Sequence, residues 1–460
     1  MAQASGGMVG HPVAPVARCS VGFAQGNLEQ GVINAVREAS AGLGTSSPLL
    51  AIITVCAPSD PETGGRVLGH ASALVRELSP ECTVIGATTH GVLAAAQAVE
   101  VAPGVSVWLA SWPGTPPRPF RVHARVEGPE QVAVHGLPDL TDDDRLAFVL
   151  ADPHTTPVDD ILAAFDRVDG PLPLVGALVS GGVDDDDTRL LLGGSVLTEG
   201  AVGVVLDAKS PVRAMVSQGF QPIGPALAVT SARGGYLIEW GGQPALTRVR
   251  SIVAELPAEE QALAVRGLHM GFAHDPRSSG DTAADFLMRP IIGIDPVAGA
   301  ITIGEELQVG QLLRLHLRDA DSAHEDLVDV VDAVVSAQQP VGAFIVTCSG
   351  RGRSMFTTSG HDSSTFTDLS GTSAVGGLFA AGEVGPVGGR NHLHSFTAVF
   401  LIVDPVTDPV AVEVERRAPI DELHAPFTDD DGDAFDAELA ALLGNDSDHA
   451  EDPTPPRDPE

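Results

Sequence analysis

Two spacings of apolar residues alternate along the chain. Leu28, Val32, Ala35, Val36, Ala39 and Leu43 recur every three or four residues, which predicts an amphipathic helix with Asn27 as its cap. After Pro48 the run LLAIITV is continuously apolar and short, the mark of a strand buried on both faces. Val67, Leu68, Ala71, Leu74, Val75 and Leu78 form a second helical stripe, and TVIGATTHG (83–91) reads as a strand running into a glycine turn. The same order returns at LAFVL (146–150), then a helix bearing Val158, Ile161, Leu162 and Phe165 with Thr156 as cap and Pro157 in its first position, then LVGALVSG (174–181). A looser echo joins GAFIVT (342–347) to VGGLFAAG (375–382).

Strands alternating with helices predict crossover connections, and the fold class expected is α/β: two related domains with mixed sheets. Between the echoes, short strands at 189–192, 195–197 and 201–206 read as a meander. Further on come a strand at 236–240, a helix after Pro244, strands at 301–303 and 312–317, and a helix over 323–337. The expected division is a flexible arm (1–19), a first domain (20–240), a second (241–405) and an acidic, mostly disordered tail (406–460). Phe435, Leu439, Leu442 and Leu443 give that tail one short helix.

The chain has 460 residues, 43% of them apolar and 19% charged, which suits globular domains. Acidic residues outnumber basic ones 61 to 26, for a net charge of −35, so neither nucleic acid nor an anionic membrane is an expected partner. From Ala418 onward, 14 Asp or Glu face a single Arg, yet the rest is acidic too. Lys209 is the only lysine. The four cysteines, Cys19, Cys56, Cys82 and Cys348, are scattered and are expected to be reduced thiols. The N-terminus lacks the pattern of a signal peptide, and no apolar run approaches the ~18 residues of a membrane span. A cytoplasmic protein is expected.

Chemistry concentrates at strand ends, where α/β sheets bind their ligands. In TCSGRGRSMF (347–356), Cys348 and Ser349 precede Arg351 and Arg353, two guanidinium groups able to grip a carboxylate or phosphate. Glu383 follows Gly382, and its carboxylate is suited to a ligand ammonium or to an arginine of the first motif. The glycines at 382, 385 and 388 are no dinucleotide fingerprint, because Pro386 breaks any helix there. His392, His394 and Thr397 come next, with the two histidines expected on opposite faces of a strand and so unable to share a metal. Thr88, Thr89 and His90 offer hydroxyls and an imidazole, either to a polar ligand or to a braced turn. Asp184 to Asp187 read as a solvated hairpin tip. Asp429, Asp430, Asp431 and Gly432 resemble part of a calcium loop, but Phe427 stands where its first acidic ligand is needed. No cofactor motif is present, so none is expected.

Taken in order, VIGATTHG, VGALVSGG, AVGVVL and SQGFQPIGPALAVTSARGGYLIEWGGQPAL resemble the FIST N domain. RPIIGIDPVAGAITIGEELQVGQLLRLHLRDA, FIVTCSGRGRSMF, GLFAAGEVGPVG and LHSFT resemble FIST C. The resemblance spans roughly 45–403 and rests on the order and number of motifs. It implies a sensory module for small ligands such as amino acids, of a kind found fused to kinases, chemotaxis receptors and F-box regions. No effector domain is recognisable outside that span, so a separate signalling partner is expected.

Three readings follow. In the first, the protein binds an amino-acid-like ligand, with Arg351 and Arg353 on its carboxylate, Glu383 on its ammonium, and Cys348, Ser349, Thr88, Thr89 and His394 around it. In the second, Cys348 is an enzyme's nucleophile, with His394 as its base. In the third, the tail helix docks a partner on an otherwise inert scaffold.

Overall fold

The structure is a computed structural model that describes residues 16–406, apart from 59, 129–130, 167–169, 182–186, 266 and 274–285. The expected acidic tail with its helix, the broken calcium-like loop and three aspartates of the expected tip at 184–187 lie outside the described residues. The described chain is a mixed α/β protein that divides into two compact units, one comprising 16–216 with 328–406 and the other 217–327.

The first unit begins with β1 (Arg18–Gln25), α1 (Leu28–Leu43), β2 (Leu50–Cys56), α2 (Pro61–Leu78), β3 (Thr83–Thr88), β4 (Gly91–Ala94), β5 (Gln97–Glu100) and β6 (Gly104–Ser111). It continues with β7 (Arg118–Gly128), β8 (Gln131–His135), β9 (Asp144–Ala151), α3 (Val158–Phe165), β10 (Leu174–Val179), β11 (Leu190–Leu192), β12 (Ser195–Leu197), β13 (Ala201–Asp207) and β14 (Val212–Ser217). The second unit's elements follow: β15 (Phe220–Arg233), β16 (Tyr236–Trp240), β17 (Gln243–Pro244), α4 (Ala245–Ala254), α5 (Ala258–Ala264), β18 (Leu268–Ala273), β19 (Phe286–Asp295), β20 (Ala300–Ile303) and β21 (Leu312–Arg318). The chain passes back within α6 (Ala320–Ala337), and β22 (Gly342–Cys348), α7 (His361–Ser370), β23 (Val375–Val387), β24 (Arg390–His394) and β25 (Ala398–Val403) complete the first unit.

Two stacked sheets form the first unit. One has the order β1-β6-β2-β3-β11-β12; the other runs β14-β25-β22-β23-β10-β9-β13-β7-β8, with β24, β4 and β5 attached beside β23. The β2 run explains the layering. Ala51, Ile53 and Val55 pack under α1 and α2, while Leu50 and Ile52 face the larger sheet, so both faces are covered and every position is apolar or hydroxyl-bearing. Between the sheets, Phe344 meets Trp108 and Phe148 edge-on at 5.9 and 5.5 Å, and Thr54 Oγ1 donates to Gly377 O at 3.2 Å. Asn27 caps α1 as expected, its Oδ1 accepting from the Gln30 N–H at 3.0 Å.

The three echoes are three crossover units: β2–α2–β3, β9–α3–β10 and β22–α7–β23, each with its two strands parallel. Their shared glycine has one physical cause. A Cβ on Gly86 would lie 2.2 Å from Ile53 O, on Gly176 2.1 Å from Val149 O, and on Gly377 2.4 Å from Ile345 O. In each case the backbone of the partner strand fills the space a side chain would need.

Three local expectations change. Thr156 does not cap α3; its hydroxyl donates to Gly200 O at 2.9 Å, and no side chain caps that helix. The arm gives way to β1 at Arg18, a strand that small and polar residues such as Ser20 and Gly22 concealed. Gly382 does not mark a strand end, because β23 runs on to Val387 and places Glu383 inside a strand.

In the second unit, β15-β21-β18-β19-β20-β16-β17 are antiparallel throughout. The long β15 also pairs with β16, which closes six of these strands into a barrel. Trp240, Leu237, Met270, Leu313, Leu315 and Leu317 lie in its core, and the Trp240 Nε1–H donates to Leu227 O at 2.9 Å.

Candidate functional site

A buried polar cluster forms where β22 ends. The Cys348 N–H donates to Thr397 O at 3.0 Å, which ties that end to the residue before β25. A single 3-10 turn, Ser349–Arg351, follows. Glu383 enters from β23, opposite Ala177 of β10 on one side and His394 of β24 on the other.

Glu383 is fully buried. Its Oε2 accepts from both the backbone N–H and the hydroxyl of Thr397, at 3.2 and 2.9 Å. Its Oε1 is buried without a hydrogen-bond partner of ordinary geometry, although the Cys348 thiol lies beside the carboxyl. Burial pushes the Glu383 carboxyl up to about 8, against the opposing pull of Thr397, Cys348 and Arg351. Burial and then the neighbouring Glu383 push the Cys348 thiol well above its usual range, and backbone N–H groups of Gly350 and Phe396 only partly oppose them. This is the reverse of what a nucleophilic thiolate needs. Ser349 Oγ is likewise buried without a partner. Phe396 is held at φ 59°, in the left-handed region that costs a non-glycine residue about 1–2 kcal/mol. Its ring lies where Gly350 would carry a Cβ, 2.3 Å away.

Arg351 grips a carboxylate with both arms of its fork, as its residue type predicts, but the carboxylate is that of Asp362 in α7. Thr347 and His361 also hydrogen-bond Asp362, His361 stacks on Phe356 at 3.6 Å, and the Arg351 guanidinium lies 5.6 Å from the same ring. Burial alone would raise the Asp362 carboxyl; the charge and hydrogen bonds of Arg351, with those of His361 and Thr347, hold it well below its usual range. Arg353 is exposed, and its backbone N–H donates to Glu100 Oε2 at 3.1 Å. Glu100 also accepts from Ser359 at 2.6 Å and occupies the space beside Gly352.

Thr88 and Thr89 are buried braces. Thr88 Oγ1 accepts from the Arg189 N–H at 2.9 Å, and Thr89 Oγ1 donates to Gly91 O at 2.6 Å. The ends of β3 and β10 meet β23 here: the His90 N–H donates to Ser180 Oγ at 2.9 Å, and Ser180 donates to Phe379 O at 2.5 Å. His394 is buried, with Nε2 3.0 Å from Gly385 O. The expectation that His392 and His394 face opposite ways is wrong. Residues two apart on a strand share a face, and their rings stand 6.0 Å apart. Among the described residues, no three His, Cys, Asp or Glu gather as metal ligands, and no helix is long and apolar enough to cross a membrane.

Sequence reasoning missed Asp362, Ser180 and Glu100. Each acts on a partner remote in sequence or across a loop, and only Ser180 lies within a quoted motif, VGALVSGG, where nothing singled it out. Only the position of Asp362 in a helix's first turn, eleven residues after Arg351, hinted at a pair.

The FIST N domain family matches residues 52–243, and the FIST C domain family matches 245–386. The uncharacterized protein Rv0628c of Mycobacterium tuberculosis (strain ATCC 25618 / H37Rv) is 40% identical over 338 residues, covering 72% of this chain and 86% of its own. The uncharacterized protein Mb0898c of Mycobacterium bovis is 37% identical over 380 residues, covering 82% of this chain and 96% of its own. The chain belongs to the FIST family, with a FIST N domain followed by a FIST C domain.

Proposed function

We propose that this protein is an intracellular sensor for a small amino-acid-like ligand, recognised beside Cys348, Ser349 and Glu383, and that it signals through a separate protein partner. FIST domains are associated with sensory signal transduction and suggest small-ligand binding. The observation that carries the reading is Glu383 Oε1, a fully buried carboxyl oxygen with no hydrogen-bond partner of ordinary geometry, only the Cys348 thiol beside the carboxyl, while its twin is satisfied twice. Such an atom is costly unless something completes it, and a ligand ammonium does so. Ser349 Oγ supplies a second unmet hydrogen-bonding group on the adjoining turn, and exposed Arg353 is the guanidinium assigned to a ligand carboxylate. Arg351 acts through Asp362 as a positioning residue, with Thr88, Thr89 and His394 bracing the surrounding strand ends.

The test is a thermal-shift screen of amino acids, amines and small carboxylates on the full chain and on Glu383→Gln. A true ligand at about 100 times its Kd stabilises by about 2.7 kcal/mol. Because an ammonium favours the ionised carboxylate, binding through Glu383 releases a proton and tightens as pH rises toward about 8. Failure of every compound in the panel, or equal stabilisation of Glu383→Gln, removes the reading.

A further inference from the structure

We propose that the hairpin of β7 and β8 carries a separate site for a small tetrahedral oxyanion, built by Arg121, His123 and Arg125 of β7 and His135 of β8. His123 and His135 are direct partners in the antiparallel register, and their rings stack with centroids 5.5 Å apart and planes 25° apart. Arg121, His123 and Arg125 alternate along one strand, so they share a face. Two nitrogens of this group, Arg121 Nε and His123 Nδ1, are buried without a hydrogen-bond partner, and His135 Nε2 has only Glu127 Oε1, at 3.5 Å. Their side chains are nevertheless reachable, with 37% of Arg121 and 42% of His135 exposed.

The chemistry of the unmet atoms selects the ligand. Arg121 Nε only donates, so what completes the set must accept. The two guanidinium charges repel a metal ion. The group stands out in a chain of net charge −35. Its local charge is finely balanced: Glu199 lies 3.5 Å from Arg121, and Glu127 lies 3.5 Å from His135. With neutral imidazoles the two arginines and two glutamates cancel, so the anion is held when the histidines take up protons. Burial and then Arg125, Arg121 and His135 press His123 below its usual range, against the pull of Glu199. An anion reverses that balance.

Sulfate is the probe, because its charge is constant between about pH 5.5 and 8, where histidine titrates. Inorganic phosphate forms a second arm, and chloride at matched ionic strength is the control. Histidine Cε1–H resonances, assigned with His123→Asn and His135→Asn, are followed by NMR on the full chain. Sulfate should shift both resonances, raise both titration midpoints and bind about tenfold tighter per pH unit as the first histidine protonates. Arg125→Gln, an exposed change, should weaken binding several-fold. Resonances that do not move beyond the chloride control, midpoints that sulfate leaves in place, or undiminished affinity in Arg125→Gln would each overturn the site. The wild-type titration needs no variant to fold.

Discussion

The Arg351 guanidinium and the Asp362 carboxylate form a two-point pair, 2.9 Å from Nε to Oδ2 and 2.8 Å from Nη2 to Oδ1, with both side chains almost wholly withdrawn from solvent. It joins the turn after β22 to the first turn of α7. Each charge is tolerable there only because the other is present. Asp362→Asn should therefore cost about 3–5 kcal/mol, since it leaves the guanidinium buried without its counter-ion. Replacing both by Met and Leu should cost less than the two single changes added together. Urea unfolding of the four proteins measures this, and additive losses would show that the residues are not coupled. The pair's contribution is full above the carboxyl's unfolded value of 3.8 and is lost as pH falls below it.

Glu383 predicts the opposite pH dependence. Below pH 4.5 the carboxyl is neutral in both folded and unfolded chains. Between 4.5 and about 8 the unfolded chain releases the proton while the folded one keeps it, so stability falls as pH rises and then levels off. The slope is at most about 1.4 kcal/mol per pH unit. Glu383→Gln should remove this slope from a series of urea midpoints. Parallel curves for the two proteins would mean that Glu383 is ionised in the native state.

The thiols should be inert. Burial raises Cys56 to about 11 and Cys82 to about 12, and it lifts Cys348 well beyond its usual range. Iodoacetamide at neutral pH should label native Cys348 far more slowly than the same residue in urea. Rapid labelling, located by mass spectrometry of the modified peptide, would restore the enzymatic reading of this cysteine.

The glycines of the crossover units should resist the smallest enlargement. Gly176→Ala and Gly377→Ala place a methyl against a strand carbonyl, and each should cost at least about 1–3 kcal/mol. Gly193→Ala, in a turn with open space around it, should lose only what its φ of 56° demands. Equal midpoints for all three would refute close strand approach as the reason for the repeat.

Much of the first unit was legible because its signals are local. The stripe from Leu28 to Leu43, the Asn27 cap and the two-face burial of LLAIITV each follow from spacing over a few residues. The three glycine-bearing strands could be paired with their preceding strands by order alone, and the structure adds the carbonyls that make the glycines necessary. The residue types at the candidate site were also legible, since cysteine, serine and arginine cluster where β22 ends, while the place of Glu383 within β23 was not.

What each polar group touches was decided only by the tertiary structure. Arg351 was expected to meet a ligand's carboxylate, yet Asp362 lies closer once α7 folds back onto the end of β22. The burial of Glu383 depends on β10 and β24 flanking it, and β10 is about two hundred residues away in sequence. The division of the chain in space is equally non-local, because strands from both ends of the sequence share one sheet while 217–327 supply another. Helix and strand periods arise from neighbouring residues, whereas a charge finds its partner, and a carboxyl its proton, only after distant segments have packed and expelled water from between them.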